Sequence, residues 1–287
     1  MKRYYLDTNA LYALANYMDK FTNNSSVNLS LLNIKELISK VKDEKDFIRR
    51  REVIRKIKKN NLNIYPYLPI ECVAKAFKLD ISEIELIENL KVGLWKQMKI
   101  MADSDTLDIY IEKLKEEGVD LFELLEFDKN KKTENFLKLN KELDIGKRQY
   151  NDVKKSQEES TKYTEIDIEE ALGLKESKVD KEVHEKKKKI LTDMLNDCNI
   201  YYTDEDLEKQ LLLYDGELTA FLLGIELYCF ARCSTGKCAG KNDLLDITHL
   251  LYLRNENDII VSDDKIFDVA TVFNQKIGIE EFKKIWK

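Results

Sequence analysis

Apolar positions along the chain follow alternating β-type and helical spacings near both ends, and helical spacing alone in the middle. Arg3 to Leu6 is a short β-rich run that ends on Asp7, and an apolar helical pattern begins at Ala10 and Leu11 and continues to Met18. A polar turn is expected over Thr22 to Asn28, followed by helices at Leu31–Lys40 and Phe47–Lys59. A second strand, Leu62–Tyr65, precedes Pro66 and Pro69, and Pro69 suits the first position of a helix reaching Phe77.

From about residue 79 to 197 the texture changes. Apolar residues recur at three- and four-residue steps, as at Ile84, Ile87, Leu90 and Leu94, then Leu107, Tyr110, Ile111 and Leu114, with charges between them. This block reads as a helical insertion, and its polar stretch Lys147 to Lys189 as a long exposed helix or an arm. The α/β texture returns at 198–287. Asn199–Tyr202 reads as a strand, Leu207–Leu213 and Leu218–Phe230 as helices, Asp243–Leu253 as a helix and Asp258–Ser262 as a strand. A last strand near Val272–Ile277 and a helix Glu280–Trp286 close the chain. The expected fold class is α/β, with one discontinuous domain formed by 1–78 and 198–287 and an insertion at 79–197.

Composition narrows the class. Charged residues make up 36% of the 287 residues but apolar ones still reach 43%, which fits a folded core rather than disorder. Two prolines and nine glycines suit many helices joined by short polar loops. A net charge of −6 excludes a uniformly basic coat but not a local basic face. Five cysteines at irregular spacing suggest reduced thiols. With no apolar signal-type start and no window long enough to span a membrane, a cytoplasmic location is expected.

Candidate chemistry lies in the carboxylates. Asp7 ends the first strand, where open α/β sheets place their ligands. Glu71 lies two residues into the helix after the second strand. Asp243 and Asp246 are three apart and share a helix face, and Asp263 and Asp264 follow the strand Ile259–Val261. If those strands are parallel neighbours, the acids gather at one sheet edge. Clustered carboxylates resist ionising together unless a cation neutralises them, and Mg²⁺ or Mn²⁺ would do so.

Taken together, these segments resemble a known family. Tyr5-Leu6-Asp7-Thr8-Asn9-Ala10-Leu11 is similar to the opening motif of PIN domains, metal-dependent nucleases that include toxin ribonucleases of bacteria and archaea. Asp246-Ile-Thr-His249-Leu-Leu-Tyr252 resembles the family's third acidic motif, and Asp258-Ile-Ile-Val-Ser262-Asp263-Asp264-Lys265 its fourth. Glu71 in Leu68-Pro-Ile-Glu71-Cys-Val-Ala is a looser match to the family's helix acid. The resemblance covers about 1–78 and 200–287, and the long insertion is a departure. It implies a three-layer α/β/α fold with a mainly parallel sheet. It also implies a metal held by Asp7, Glu71, Asp246 and Asp264, with Asp243 and Asp263 as alternates. Thr8, Asn9 and Ser262 would support the site or contact phosphate. The implied activity is endoribonucleolytic, leaving 5′-phosphate and 3′-hydroxyl ends. RNA is the implied partner, with a protein partner or inhibitor and a homodimer as further expectations.

A basic helix face carries Arg49, Arg50, Arg51, Arg55, Lys56, Lys58 and Lys59, of which Arg50, Arg51 and Arg55 are the candidate phosphate contacts. Lys186–Lys189 and His184 read as surface residues, and His249 as packing beside Asp246. Cys229, Cys233 and Cys238 lack a CxxC pair and read as thiols rather than zinc ligands. Two other functions are weighed. One is an inactive PIN-like scaffold that binds a partner through its insertion. The other is a dehalogenase-type hydrolase, which expects an aspartate two residues after Asp7 where this chain has Asn9.

Overall fold

The structure is a computed structural model that describes residues 2–22, 24–39, 41–81, 85–118, 137, 139–141, 143–148, 151, 185, 187–193, 195–196, 200–236, 238–240, 242–268 and 274–286. Five parallel strands form one sheet: β1 (Arg3–Leu6), β2 (Val27–Ser30), β3 (Asn63–Tyr65), β4 (Asp258–Val261) and β5 (Lys276–Ile277). Their order is β3-β2-β1-β4-β5, so β1 is central. The chain builds outward from β1 to β3, then returns to place β4 on the other side of β1. That reversal makes the carboxyl ends of β1 and β4 a switch point, the crevice where such sheets bind ligands.

Alternation along β1 covers both faces. Tyr4 meets Phe282 of α10 (Ile279–Ile285) edge-on, with ring centroids 5.2 Å apart. Tyr5, on the opposite face, stacks on Tyr252 at 5.2 Å. Leu6, Leu29, Ile260 and Val261 are fully buried between these layers, where truncating one leucine to alanine costs about 2–5 kcal/mol. The α/β expectation therefore holds, with helical layers against both faces of the central strand.

Helix α1 (Thr8–Leu14) passes into a 3-10 stretch, Ala15–Phe21. Helix α2 (Leu31–Ile38) starts on a Ser30 and Asn33 capping box. Helix α3 (Glu44–Lys59) is capped by Asp43. Helices α4 (Pro69–Ala76), α5 (Glu85–Ala102) and α6 (Leu107–Glu116) follow. After the middle block come α7 (Asp204–Leu212), α8 (Thr219–Thr235) and α9 (Asp243–Thr248), the last continuing as a 3-10 turn, His249–Tyr252. Gly236 ends α8 at φ 66°, a left-handed C-terminal position that favours glycine.

Two expected elements differ. The polar turn at Thr22–Asn28 overran a strand, because β2 begins at Val27 and all four of its residues are buried. Its Asn28 and Ser30 are polar, with Asn28 Oδ1 accepting from Asn63 and Ser30 in the α2 cap, and so weaken the apolar signal. The expected strand at Asn199–Tyr202 does not form over Ile200–Tyr202, which lead into the Thr203 cap of α7; Asn199 is outside the described residues. Helix α5, at the start of the expected insertion, packs directly on α2 and α3. Most of Lys147–Lys189, including His184, is outside the described residues. Among the described residues no helix is long and apolar enough to cross a membrane.

Candidate functional site

Register brings the first two acids together. Leu6 pairs with Val261, so Asp7 and Ser262 leave neighbouring strand ends side by side. The Ser262 hydroxyl donates to Asp7 Oδ2, and the Ala10 amide donates to Asp7 Oδ1 as α1 begins. Asp7 is thus both the α1 cap and an acid at the switch point, only 3% exposed. The Asp264 amide in turn donates to Ser262 Oγ at 3.0 Å, which fixes the turn that carries Asp264. Burial pushes the Asp7 carboxyl above its ordinary range against these donors, and the Asp264 charge adds to the push.

A fourth element brings Glu36, an acid that the sequence reading missed. Glu36 lies on α2, and its Oε2 accepts from the Thr8 hydroxyl and lies 3.2 Å from His249 Nε2. Asn33 holds this corner by donating to the Leu6 carbonyl at 3.1 Å and to Thr8 Oγ1 at 3.2 Å. A usable signal was present: Ser30 and Asn33 form a cap immediately before an apolar helical run, which marks a strand-to-helix junction.

Asp246, on the first turns of α9, faces the same group. Its carboxyl is pushed up to about 7 by burial first, then by Glu36 and Asp264, with Asp243 also contributing; only His249 opposes. Among the described residues no donor is hydrogen-bonded to it, so it carries the least compensated charge of the set. Such a shift in a cleft is a mark of functional sites.

His249 is buried beneath the acids. Its Nδ1 lies 2.6 Å from the Tyr5 hydroxyl, which is itself 2.8 Å from Ser30 Oγ. Burial favours the neutral ring, yet Glu36, Asp7 and Asp246 outweigh it and hold the imidazole above its ordinary pKa. The packing role expected of His249 is present, with a charge pairing to Glu36 added.

The two tandem pairs divide by partner. Asp243 accepts from Tyr228, from Arg232 and, at 2.8 Å, from the Gly240 amide. Burial alone would raise its carboxyl, but these donors outweigh it and hold it low. Asp263 accepts from the Ile279 amide at 2.9 Å at the start of α10. Both therefore anchor backbone, while Asp264 acts on the charge of Asp7 and Asp246 is acted on by Glu36, His249 and Asp264. Asn9 is exposed on the first turn of α1.

Glu71 is engaged elsewhere. It accepts from the Leu68 amide at 2.7 Å, capping α4, and from Lys91 of α5 at 2.9 Å. A cap and an ion pair thus use both Glu71 oxygens, while Glu36 is the helix acid beside Thr8 and His249.

The three candidate phosphate contacts are also occupied. Arg50 donates to the carbonyls of Glu36, Leu37 and Ser39 at 2.8, 3.2 and 2.7 Å and pairs with Asp46. It satisfies the orphan carbonyls ending α2, and so steadies the helix that carries Glu36. Arg51 donates to the Ser104 carbonyl at 3.3 Å, and Arg55 to the Ala102 carbonyl at 2.8 Å. These two tie α3 to the end of α5.

Among the described residues no group of three or more His, Cys, Asp and Glu side chains converges closely enough to hold a metal unaided. The four cysteines described, Cys72, Cys229, Cys233 and Cys238, are free thiols. Comparison with protein-family models, with curated proteins and with solved structures returned no match.

Proposed function

We propose that this chain is a divalent-metal-dependent endoribonuclease with a PIN-like fold that hydrolyses RNA phosphodiesters. One observation supports this above the rest: Asp7, Glu36, Asp246 and Asp264 lie near enough to the β1/β4 switch point to act on one another or on His249 through charge, and Asp246 is pushed up to about 7 by burial first and then by Glu36 and Asp264. Mutual repulsion of this kind is costly to a fold and is relieved by a cation. The donor set is all oxygen, which suits Mg²⁺ or Mn²⁺, and such ions need only one or two carboxylates plus waters. When bound, the ion would lower the pKa of a water and stabilise charge on a phosphodiester oxygen.

The chain's own residues have separable roles in this reading. Asp7, Asp246 and Asp264 would hold the ion, with Glu36 completing the acidic wall. Ser262 orients the Asp7 carboxylate and Thr8 orients Glu36. Tyr5 and His249 fix the floor beneath them. No covalent nucleophile is required.

A second reading, a non-catalytic scaffold, has one observation in its favour. Glu36, Asp7 and Asp246 hold the His249 imidazole above its ordinary pKa, and when protonated it sets a positive charge beside Glu36 that relieves part of the repulsion without any ion.

Incubating labelled single-stranded RNA or DNA with the protein in Mn²⁺ or EDTA, beside Asp7→Asn and Asp246→Asn, separates the two. Mn²⁺-dependent cuts that disappear in both variants support the nuclease. An intact substrate under every condition supports the scaffold.

A further inference from the structure

The basic face of α3 is not uniform. Arg50, Arg51 and Arg55 end on backbone carbonyls, and Lys58 turns toward Asp103 beyond α5. Arg49, Lys56 and Lys59 instead lie along the seam between α3 and the first helical segment, opposite Tyr12, Asn16 and Asp19.

The seam begins at the acidic group. Tyr12 is one turn beyond Thr8 on α1, hence on the same face, and it senses the charges of both Glu36 and Arg49. The Arg49 guanidinium covers one side of the Tyr12 ring at 4.4 Å from its centroid, while the Arg49 side chain stays 60% exposed. One donor pairs with Asp46 at 2.9 Å, and the exposure leaves part of the donor fork to solvent. An arginine plane backed by an aromatic ring is a surface on which an unpaired base stacks, and the free donors suit phosphate. Lys56 follows about 10 Å further along the helix and donates to Asn16 at 2.8 Å. Lys59 pairs with Asp19 at 3.2 Å, and both groups are largely exposed. Exposed pairs of this kind contribute little to stability, so phosphate oxygens can replace them at low cost.

We propose that Tyr12 and Arg49 form a stacking platform that seats an unpaired nucleotide of single-stranded RNA beside the acidic group, with Lys56 and Lys59 tracking the strand onward. This rests on the nuclease reading and adds the strand's path and a preference for unpaired RNA. A duplex keeps its bases stacked on each other and cannot use the platform.

The test is equilibrium binding of a fluorescein-labelled single-stranded RNA by anisotropy in EDTA, with single-stranded DNA and an RNA duplex as parallel arms. Arg49→Ala weakens single-stranded RNA binding about 5- to 50-fold and lowers the salt slope by about one. Arg49→Lys keeps that slope but recovers only part of the affinity, because the plane is lost. Lys58→Ala, on the other side of the same helix, leaves affinity within about twofold. Equal effects of Arg49→Ala and Lys58→Ala, or equal affinity for duplex and single strand, overturn the platform. Binding without cutting by the wild-type protein overturns the nuclease reading and leaves the platform standing. Cutting by the wild type with unchanged Arg49→Ala binding does the reverse.

Discussion

Replacing Asp246 by Asn should stabilise the metal-free protein at neutral pH, although it removes a charge from the proposed centre. The Asp246 carboxyl sits at about 7 in the fold against an ordinary 3.8. The folded state thus binds this proton more tightly than the unfolded chain does. Its contribution to stability is neutral below about pH 4, becomes unfavourable as pH rises, and reaches its full cost above about 7. At 1.36 kcal/mol per pH unit the difference corresponds to about 4 kcal/mol. The group is partly exposed, and solvent screening reduces this to about 1–2 kcal/mol. Asn keeps the shape and removes the ionisation, so its melting temperature at pH 8 in EDTA should exceed the wild type's by about 3–6 °C. At pH 4.5 the gap should shrink by more than half. Mn²⁺ should close it from the other side, by raising the wild type more than the variant. Circular dichroism melts at the two pH values decide the matter. A variant that melts lower than wild type at pH 8, or a gap that ignores pH, refutes the repulsion on which the site depends.

Other outcomes follow from the same contacts. Tyr5→Phe removes the hydroxyl that sits between Ser30 and His249, and should cost about 1–3 kcal/mol in urea unfolding through the unpaired buried groups. Arg50→Ala should destabilise by a similar amount and lower cleavage, with the salt dependence of RNA binding unchanged, because Arg50 acts on the end of α2 rather than on phosphate. Asp263→Ala should leave metal-dependent cleavage within about threefold while weakening the start of α10, costing about 0.5–2 kcal/mol in the same unfolding assay.

The parts of this site that were legible in the sequence are those encoded locally. Asp7 and Asp264 each follow a short apolar run, and Asp246 opens a helix just before the second of these runs, so strand ends and acids could be matched without tertiary information. Glu36 escaped because β2 is short and carries buried Asn28 and Ser30, whose partners Asn63 and Asn33 are not apparent from an apolar pattern. With that strand read as a turn, α2 had no reason to point at a strand end, and Glu71 was left as the only helix acid after a recognised strand. Its pair with Lys91 depends on where α5 packs.

The carbonyl partners of the arginines were hidden for a related reason. Periodicity tells which side of α3 is apolar, and Phe47, Val53, Ile54 and Ile57 are buried. It cannot tell which polar residues meet the carbonyl ends of α2 and α5, since those ends come from packing. Local chemistry was therefore readable, whereas the division of labour among like-charged neighbours required the fold.

The most direct measurement is the rate of Mn²⁺-dependent cleavage of single-stranded RNA by wild type, Glu36→Gln and Glu71→Gln proteins, compared side by side. Glu36→Gln should fall by about a hundredfold or more, beyond what a supporting residue costs, while Glu71→Gln should stay within about threefold. RNA left intact by the wild type, or activity lost with Glu71 and kept without Glu36, would contradict an acidic metal centre at the β1/β4 switch point.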